Sequence, residues 1–202
     1  MLPEVTKSAL AEVEMAIDEQ GELPIAARAR IRRMLLDHGQ AWAQAEVAAI
    51  RRVLPAWTAF HPATRPLELL ELIEAYLGGK AERGTLEQAA DALQAIVEEL
   101  DAHEDPLREQ ADIVGWGVVR AAWSAMDPGD EAAMDQDPWE WTASFTASMV
   151  AAGGPVWDDR GDRDRRRDFW RWWLRDAVPS ALAAYPHPPV ARAMGVTLSD
   201  AD

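Results

Sequence analysis

The chain of 202 residues contains no cysteine. Disulfide bonds, thiolate metal sites and cysteine nucleophiles are therefore excluded. Lysine is scarce as well, since Lys7 and Lys80 are the only two and the other cationic side chains are arginines. No apolar run approaches the roughly 20 residues that a membrane span requires, and the N-terminus lacks the apolar core of a secretion signal. The sequence thus predicts a soluble, cytoplasmic protein that does not bind membranes.

Positive charge is missing from a long stretch in the second half of the chain. The formal net charge of the whole protein is −15, and no lysine or arginine lies between Arg120 and Arg160. A negative field of this kind repels nucleic acid and attracts basic proteins or cations. We therefore expect no nucleic-acid partner, and any charged partner should be basic. The alternative is an acidic, solvated surface that only keeps the protein soluble. The acidic residues of the stretch are Asp127, Asp130, Glu131, Asp135, Asp137, Glu140, Asp158 and Asp159.

Tryptophan is abundant, and six of the ten tryptophans lie between Asp137 and Pro179. On a helical wheel, Trp170, Trp173 and Leu174 share one side with two alanines further along, which is the pattern of a buried face. Trp172 lies about 160° from Trp170 on the same wheel, among charged residues. It is either covered by another part of the fold or it contacts a partner. The segment before it, with Trp139, Trp141 and Phe145, carries apolar residues on opposite sides and is expected at the centre of a helical bundle.

Helix signals recur along the chain, and no alternating β-branched run is long enough to predict a strand. We therefore expect an all-α fold, a single domain over residues 1–202 built as a bundle of about seven to eight helices. An irregular tail should follow at 186–202, where prolines cluster. The predicted helices cover about 5–20, 24–36, 40–55, 66–77, 85–103, 105–126, 137–152 and 162–178.

Several helix ends are predicted from capping residues. Thr85 with Gln88 has the spacing of a capping box. Asp105 and Asp137 each precede a proline, which places a capping carboxylate ahead of a first-turn proline. Pro179 should interrupt the last helix at Val178. The glycines of Gly115-Trp116-Gly117 fall inside a helical pattern, and we interpret them as packing contacts.

Signatures of catalysis and of metal binding are missing. The four histidines are scattered, and there is no HExxH, GxSxG, P-loop or dinucleotide-binding glycine pattern. Glu68, Glu71 and Glu74 share a helix face, but the Glu-x-x-His pairs that a di-iron bundle needs are absent. The sequence predicts no catalytic residue, no cofactor and no metal. A helical enzyme that uses buried carboxylates and His103 is the weakest alternative.

Arginines cluster at 160–167 but alternate with aspartates, so the local charge nearly cancels. This pattern favours an internal network of salt bridges with a helix cap over a phosphate-binding or nucleic-acid-binding patch.

Three groups of residues carry a resemblance to a known family. They are RRVLPAWTAFHPATRPLELLELIEAYLGGK (Arg51 to Lys80), the motifs DPWEW and AGGPVW, and RRRDFWRWWLRDAVP near the end. Their order and aromatic spacing resemble the all-helical immunity proteins encoded beside bacterial polymorphic toxins. The resemblance extends from Trp42 to Ala181, with the first forty residues outside it. It implies a protein that binds and neutralises one cognate toxin, without cofactor or turnover.

A stoichiometric complex with a basic toxin is the functional hypothesis that follows. Acidic residues would speed the association of the two proteins, and large aromatic residues would slow their dissociation. The alternative is a non-catalytic helical adaptor or a homo-oligomer, such as a homodimer, in which exposed aromatic residues meet another copy of the chain. From the chemistry of the sequence, the candidate partner-binding residues are Asp137, Trp139, Glu140, Asp158, Asp159 and Trp172.

Overall fold

The computed structural model describes residues 2–61, 65–100, 105–127, 134, 140–155, 157 and 161–185. Over these residues the fold is all-α, as predicted, and contains no strand. Because α4 continues α3 and the last three segments form one continuous helix, the described residues make eight helices. The segments are α1 (Glu4–Glu14), α2 (Ile25–Leu36), α3 (Ala41–Val53), α4 (Pro55–Phe60), α5 (Arg65–Leu77), α6 (Arg83–Glu98), α7 (Pro106–Met126), α8 (Ala143–Ala152), α9 (Arg163–Trp172), a π-helical turn (Trp173–Ala177) and α10 (Val178–Ala184).

Helices α7 and α8 form the centre of the bundle. Helix α7 packs against α3, α4, α5, α6 and α8, and every helix contributes buried apolar residues to one cluster. Nine of the ten residues of α8 are buried, so this helix is surrounded on every side. The prediction that the Phe145 segment lies at the centre of the bundle is confirmed.

Close packing against α7 depends on two glycines. A Cβ atom at Gly115 would lie 2.4 Å from a methyl group of Val97, and one at Gly117 would lie 2.3 Å from Cδ1 of Ile50. Real Cβ contacts are not this short, so any larger residue would force these side chains, or the helices that carry them, to shift. The interpretation of these glycines as packing contacts is therefore confirmed.

The last helix changes its hydrogen-bond register before Pro179. The N–H of Val178 bonds to the carbonyl of Trp173, five residues back, which makes a π-helical turn. Proline has no N–H, and in an α-helix its ring would clash with the carbonyl four residues earlier, here that of Arg175. The wider turn accommodates this proline, and the helix continues to Ala184. Pro179 thus interrupts the α-helical register as predicted, but it does not end the helix.

Two helix caps agree with the sequence and two do not. Asp105 accepts a hydrogen bond from the N–H of Leu107, and Asp162 accepts from the N–H groups of Asp164 and Arg165. The capping box at Thr85 is wrong, because α6 already begins at Arg83 and Thr85 lies within its first turn. The predicted start of α8 near Asp137 is also wrong, because Thr142 caps that helix and its first residue is Ala143.

The N-terminal helix is shorter than predicted. Helix α1 ends at Glu14, and the Asp18 carboxylate then accepts hydrogen bonds from the N–H groups of Gln20 and Glu22, which fixes a turn. Gly21 lies in this turn with a φ of +75°, and a Cβ there would lie 2.1 Å from the carbonyl oxygen of Arg163. The turn therefore packs directly against the start of α9.

Candidate partner-binding surface

The predicted contact residues fall into two groups. Asp137, Trp139, Asp158 and Asp159 lie outside the described residues. Glu140 lies just before α8 with an exposed side chain, and Trp172 lies at the end of α9, half-buried. The structure therefore places two of the six candidates.

Trp172 is partly covered by an arginine. The guanidinium of Arg52, on α3, lies 4.2 Å from the centre of the Trp172 ring, and the ring of Phe169 lies 5.8 Å away. Trp170 and Trp173 are fully buried, as predicted. Trp172 is thus partly covered by another helix, which is one of the two alternatives expected from the sequence, and it also packs against the core.

The largest exposed aromatic side chain among the described residues is Trp157, which is 59% exposed. Its ring lies 5.2 Å from that of Trp141, and Trp141 in turn meets Phe145 edge-on at 5.8 Å. A row of three aromatic rings thus runs from the surface to the central helix α8. Monomeric proteins rarely expose a tryptophan to this extent, and tryptophan is enriched at the energetic centres of protein interfaces.

A cavity of about 290 Å³ lies beside this aromatic row. We call it the aromatic cavity, and it opens between α2, the C-terminal end of α7 and the residues that precede α8. The indole N–H of Trp42 is buried and has no hydrogen-bond partner. The carboxylate of Glu140 makes no hydrogen bond or ion pair with the described part of the chain. The walls of the cavity include Arg32, Trp42, Arg120, Trp123, Glu140 and Trp141.

The position of Glu140 and Trp141 is fixed by the start of α8. The Thr142 hydroxyl accepts a hydrogen bond from the N–H of Phe145, and the Glu46 carboxylate accepts one from the N–H of Ser144 at 3.0 Å. Both bonds satisfy N–H groups of the first helical turn, which have no partner within the helix. Because Glu46 is on α3, it ties the start of α8 to the neighbouring helix.

Glu46 belongs to a buried cluster of charged groups that the sequence did not reveal. Arg28 is buried, donates to the carbonyl of Leu23 at 2.8 Å and stacks over the ring of Phe145 at 4.3 Å. Glu22 and Arg166 are also buried and form an ion pair at 3.7 Å. Arg166 further donates to the carbonyl of Gly154 at 2.8 Å. The cluster joins the turn before α2 to α3, α8 and α9.

Burial shifts the pKa values in this cluster. Loss of solvation raises the pKa of Glu22 and that of Glu46 from 4.5 to about 7 each, while Arg28 lowers both to a smaller extent. Loss of solvation also lowers the pKa of Arg28 to about 10, against the opposing effect of the two glutamates. Such pKa shifts occur where a charged group is removed from water and its hydrogen bonds and ion pairs replace only part of the lost solvation. These groups lie inside the fold, and we assign them to holding helices together.

The arginine-rich segment forms the predicted salt-bridge network. Arg167 contacts Asp164 at 2.6 Å, and Arg165 lies 3.7 Å from the capping residue Asp162. The burial of Arg166 against Glu22 was not predicted. The only sequence signal for it was an arginine near the buried face of the helix, at i−3 and i−4 from the core residues Phe169 and Trp170.

Among the described residues, no group of three or more histidine and carboxylate side chains is placed to hold a metal ion. Within the same residues, none of the helices combines the length and the apolar character needed to cross a bilayer.

Comparison with known proteins identifies one family. Comparison with curated proteins gives no match. The family model described as "Immunity protein Imm5" matches residues 7–180. This match corrects the expectation that the first forty residues lie outside the resemblance, since it includes most of α1 and the whole of α2. Because the match covers most of the chain, this protein belongs to the Imm5 immunity protein family.

Proposed function

We propose that this protein binds one cognate toxin of a bacterial polymorphic toxin system in a stoichiometric complex, in the cytoplasm, and that the toxin is basic. Membership of the Imm5 immunity protein family is the observation that carries the proposal. In such a complex the bound protein is itself the inhibitor, so neutralisation needs neither a cofactor nor turnover.

The charge of the chain supports a basic toxin. With a net charge of −15, the protein attracts a cationic partner over distances of about 10 Å at physiological ionic strength. Rapid capture matters for neutralisation, because any free toxin can act before it is bound. Electrostatic attraction raises association rates more than it raises affinity, so it suits this task.

The contact surface of the proposed complex includes the predicted residues Asp137, Trp139, Glu140, Asp158, Asp159 and Trp172. Trp157 joins them, because its ring is exposed and lies 5.2 Å from that of Trp141. A tryptophan side chain has only two rotatable bonds, so it loses little conformational entropy on binding and contributes a large apolar area. Glu140 adds a carboxylate that has no partner in the described residues and can pair with a cation of the toxin.

The test is to co-express the chain with the protein encoded next to it, the first candidate for the toxin. We expect growth arrest by the neighbour alone, rescue by this chain, and co-purification of the two proteins in equal amounts. Light scattering of the purified chain over a range of concentrations separates a monomer from a homo-oligomer. If the neighbour is toxic but is neither rescued nor bound, neutralisation of that toxin is refuted. A concentration-dependent oligomer without a toxin complex would favour the adaptor alternative.

A further inference from the structure

We propose that the aromatic cavity receives a single arginine side chain from a protein partner. The inference rests on the proposed function only in taking that partner to be the toxin. It adds the point of contact and the chemistry of the inserted residue.

The first observation is charge. Glu140 is exposed beside the cavity and has no partner among the described residues, so its charge is available to an incoming cation. Arg32, Arg120 and Asp127 also line the cavity, but all three already interact with other groups of the protein. The chain has no lysine or arginine between residues 120 and 160 that could compete for Glu140 from its own segment. The side chain that meets this carboxylate is therefore expected to be positive.

The second observation is the pair of tryptophan rings. Trp141 forms part of the cavity wall, and the exposed Trp157 lies against it at 5.2 Å. A cation over the face of a tryptophan within about 6 Å is attracted by the ring. The planar guanidinium of arginine can stack on such a ring and bond to a carboxylate at its edge, which the ammonium of lysine cannot do. The same protein already uses this contact where Arg52 stacks on Trp172 at 4.2 Å.

The third observation is size. The volume of about 290 Å³ is at the lower end of ligand pockets, so it suits one side chain rather than a larger ligand.

The first experiment needs no toxin. The full chain with ¹⁵N-labelled tryptophan has ten indole N–H groups, each of which can be followed by NMR. We titrate it with N-acetyl-arginine amide and, as the matched control, with N-acetyl-citrulline amide, which has the same shape without the charge. We expect saturable shifts of the Trp42, Trp141 and Trp157 signals with the arginine compound, with a dissociation constant on the order of millimolar for so small a ligand. No shift at these residues, or equal shifts with the citrulline compound, would overturn the proposal.

Two variants test the same site independently. Trp157→Ala and Glu140→Gln should each weaken binding of N-acetyl-arginine amide by about five-fold or more. Glu71→Gln, at an exposed position on α5, is the control and should bind like the unchanged protein. Both altered side chains are exposed, so circular dichroism and thermal melting should show an intact fold. Unchanged binding by both variants would refute the assignment.

A third measurement separates this inference from the proposed function. With a purified, catalytically inactive form of the toxin, Trp157→Ala and Glu140→Gln should each raise the dissociation constant by about ten-fold or more. If the toxin binds both variants as tightly as the unchanged protein, the cavity assignment fails and the proposed function stands. If N-acetyl-arginine amide binds at the cavity but no toxin complex forms, the proposed function fails and the arginine-binding site stands.

Discussion

At the scale of single residues, adjacent tryptophans of one helix have different roles. Trp173 is fully buried, donates its indole N–H to the carbonyl of Ala45 at 3.2 Å and meets Trp42 and Trp170 edge-on. Trp172 is half-buried under the guanidinium of Arg52. The difference follows from the 100° rotation between successive residues, which turns one ring into the core and the other toward the surface.

Replacing these two tryptophans should give unequal losses of stability. Trp173→Ala leaves a large cavity and a carbonyl without its donor, so we expect a loss of about 3 to 5 kcal/mol in the free energy of unfolding. Trp172→Ala removes a stacked cation and partial burial, and we expect about 1 kcal/mol. Urea unfolding of both variants measures the difference. Equal losses would show that Trp172 is packed as firmly as Trp173.

Glu46 should make stability depend on pH. Its pKa in the folded protein is raised from 4.5 to about 7, so the folded state holds a proton that the unfolded chain releases earlier. The free energy of unfolding therefore falls as the pH rises from about 4.5 to about 7, by up to about 3 kcal/mol for this group. Glu46→Gln keeps an acceptor for the N–H of Ser144 but cannot titrate. Between about pH 5 and pH 8, the variant should lose less stability than the unchanged protein.

Chemical unfolding at the two pH values provides the test, with Glu71→Gln as an exposed control. Glu22, whose pKa is also raised to about 7, remains in the variant, so part of the pH dependence should persist. An unchanged pH dependence in Glu46→Gln would mean that Glu46 ionises alike in the folded and unfolded states, its charge being compensated by Arg28.

Residue-level predictions succeed where the cause is local. Burial of Trp170 and Trp173 follows from periodicity along one helix, and the cap at Asp105 follows from a carboxylate one residue ahead of a proline. The cluster of Glu22, Arg28, Glu46 and Arg166 could not be predicted, because its members are distant in sequence and charged residues are expected outside. Trp157 was not predicted as a contact residue, because it lies outside the helices and helical periodicity therefore gives no indication of its exposure.

At the scale of elements, contact with α7 is controlled by side-chain size. Gly117 faces Ile50 of α3 and Thr146 of α8, and a Cβ there would approach their side chains to 2.3 and 2.6 Å. Gly117→Ala should therefore destabilise the protein by about 1 to 3 kcal/mol despite the higher helix propensity of alanine.

The matched control for this substitution is Gly84→Ala on α6. No atom lies within 4 Å of a Cβ placed there, so only the propensity changes and stability should rise by up to about 1 kcal/mol. Thermal melting of both variants gives the comparison. A stabilising effect of Gly117→Ala would show that α7 does not approach α3 and α8 as closely as described.

Most helices could be predicted because each has apolar residues at helical spacing and is bounded by residues that interrupt a helix, such as glycine and proline. Gly78 ends α5 and Pro55 separates α3 from α4, as the sequence indicates. The errors at α8 and α1 each combine a local group with a distant one. Thr142 caps α8 together with Glu46 of another helix, and Asp18 fixes the turn that ends α1 while Gly21 of that turn packs against Arg163 of α9. The contacts with Glu46 and with α9 cannot be seen in a local window of sequence.

At the scale of the whole molecule, the net charge of −15 should govern how fast the toxin is captured. We expect the association rate constant to fall about ten-fold or more when the salt concentration rises from about 0.05 to about 0.5 M, with little change in the dissociation rate. Stopped-flow tryptophan fluorescence measures both rates. A complex whose association ignores salt would contradict the electrostatic account while leaving neutralisation intact.

The two ends of the described fold meet, and this contact affects how the protein is made. Arg175 pairs with Glu14, Arg166 donates to the carbonyl of Gln20, and Gly21 packs against Arg163. Contacts between such distant positions form only when both segments are free to meet. On the ribosome, helix α1 can pack against α2 early, but its contacts with the last helix wait until that helix has been synthesised and has left the exit tunnel. Only a completed chain can therefore protect a cell that depends on this protein. A toxin made at the same moment could act for as long as the synthesis of this chain takes.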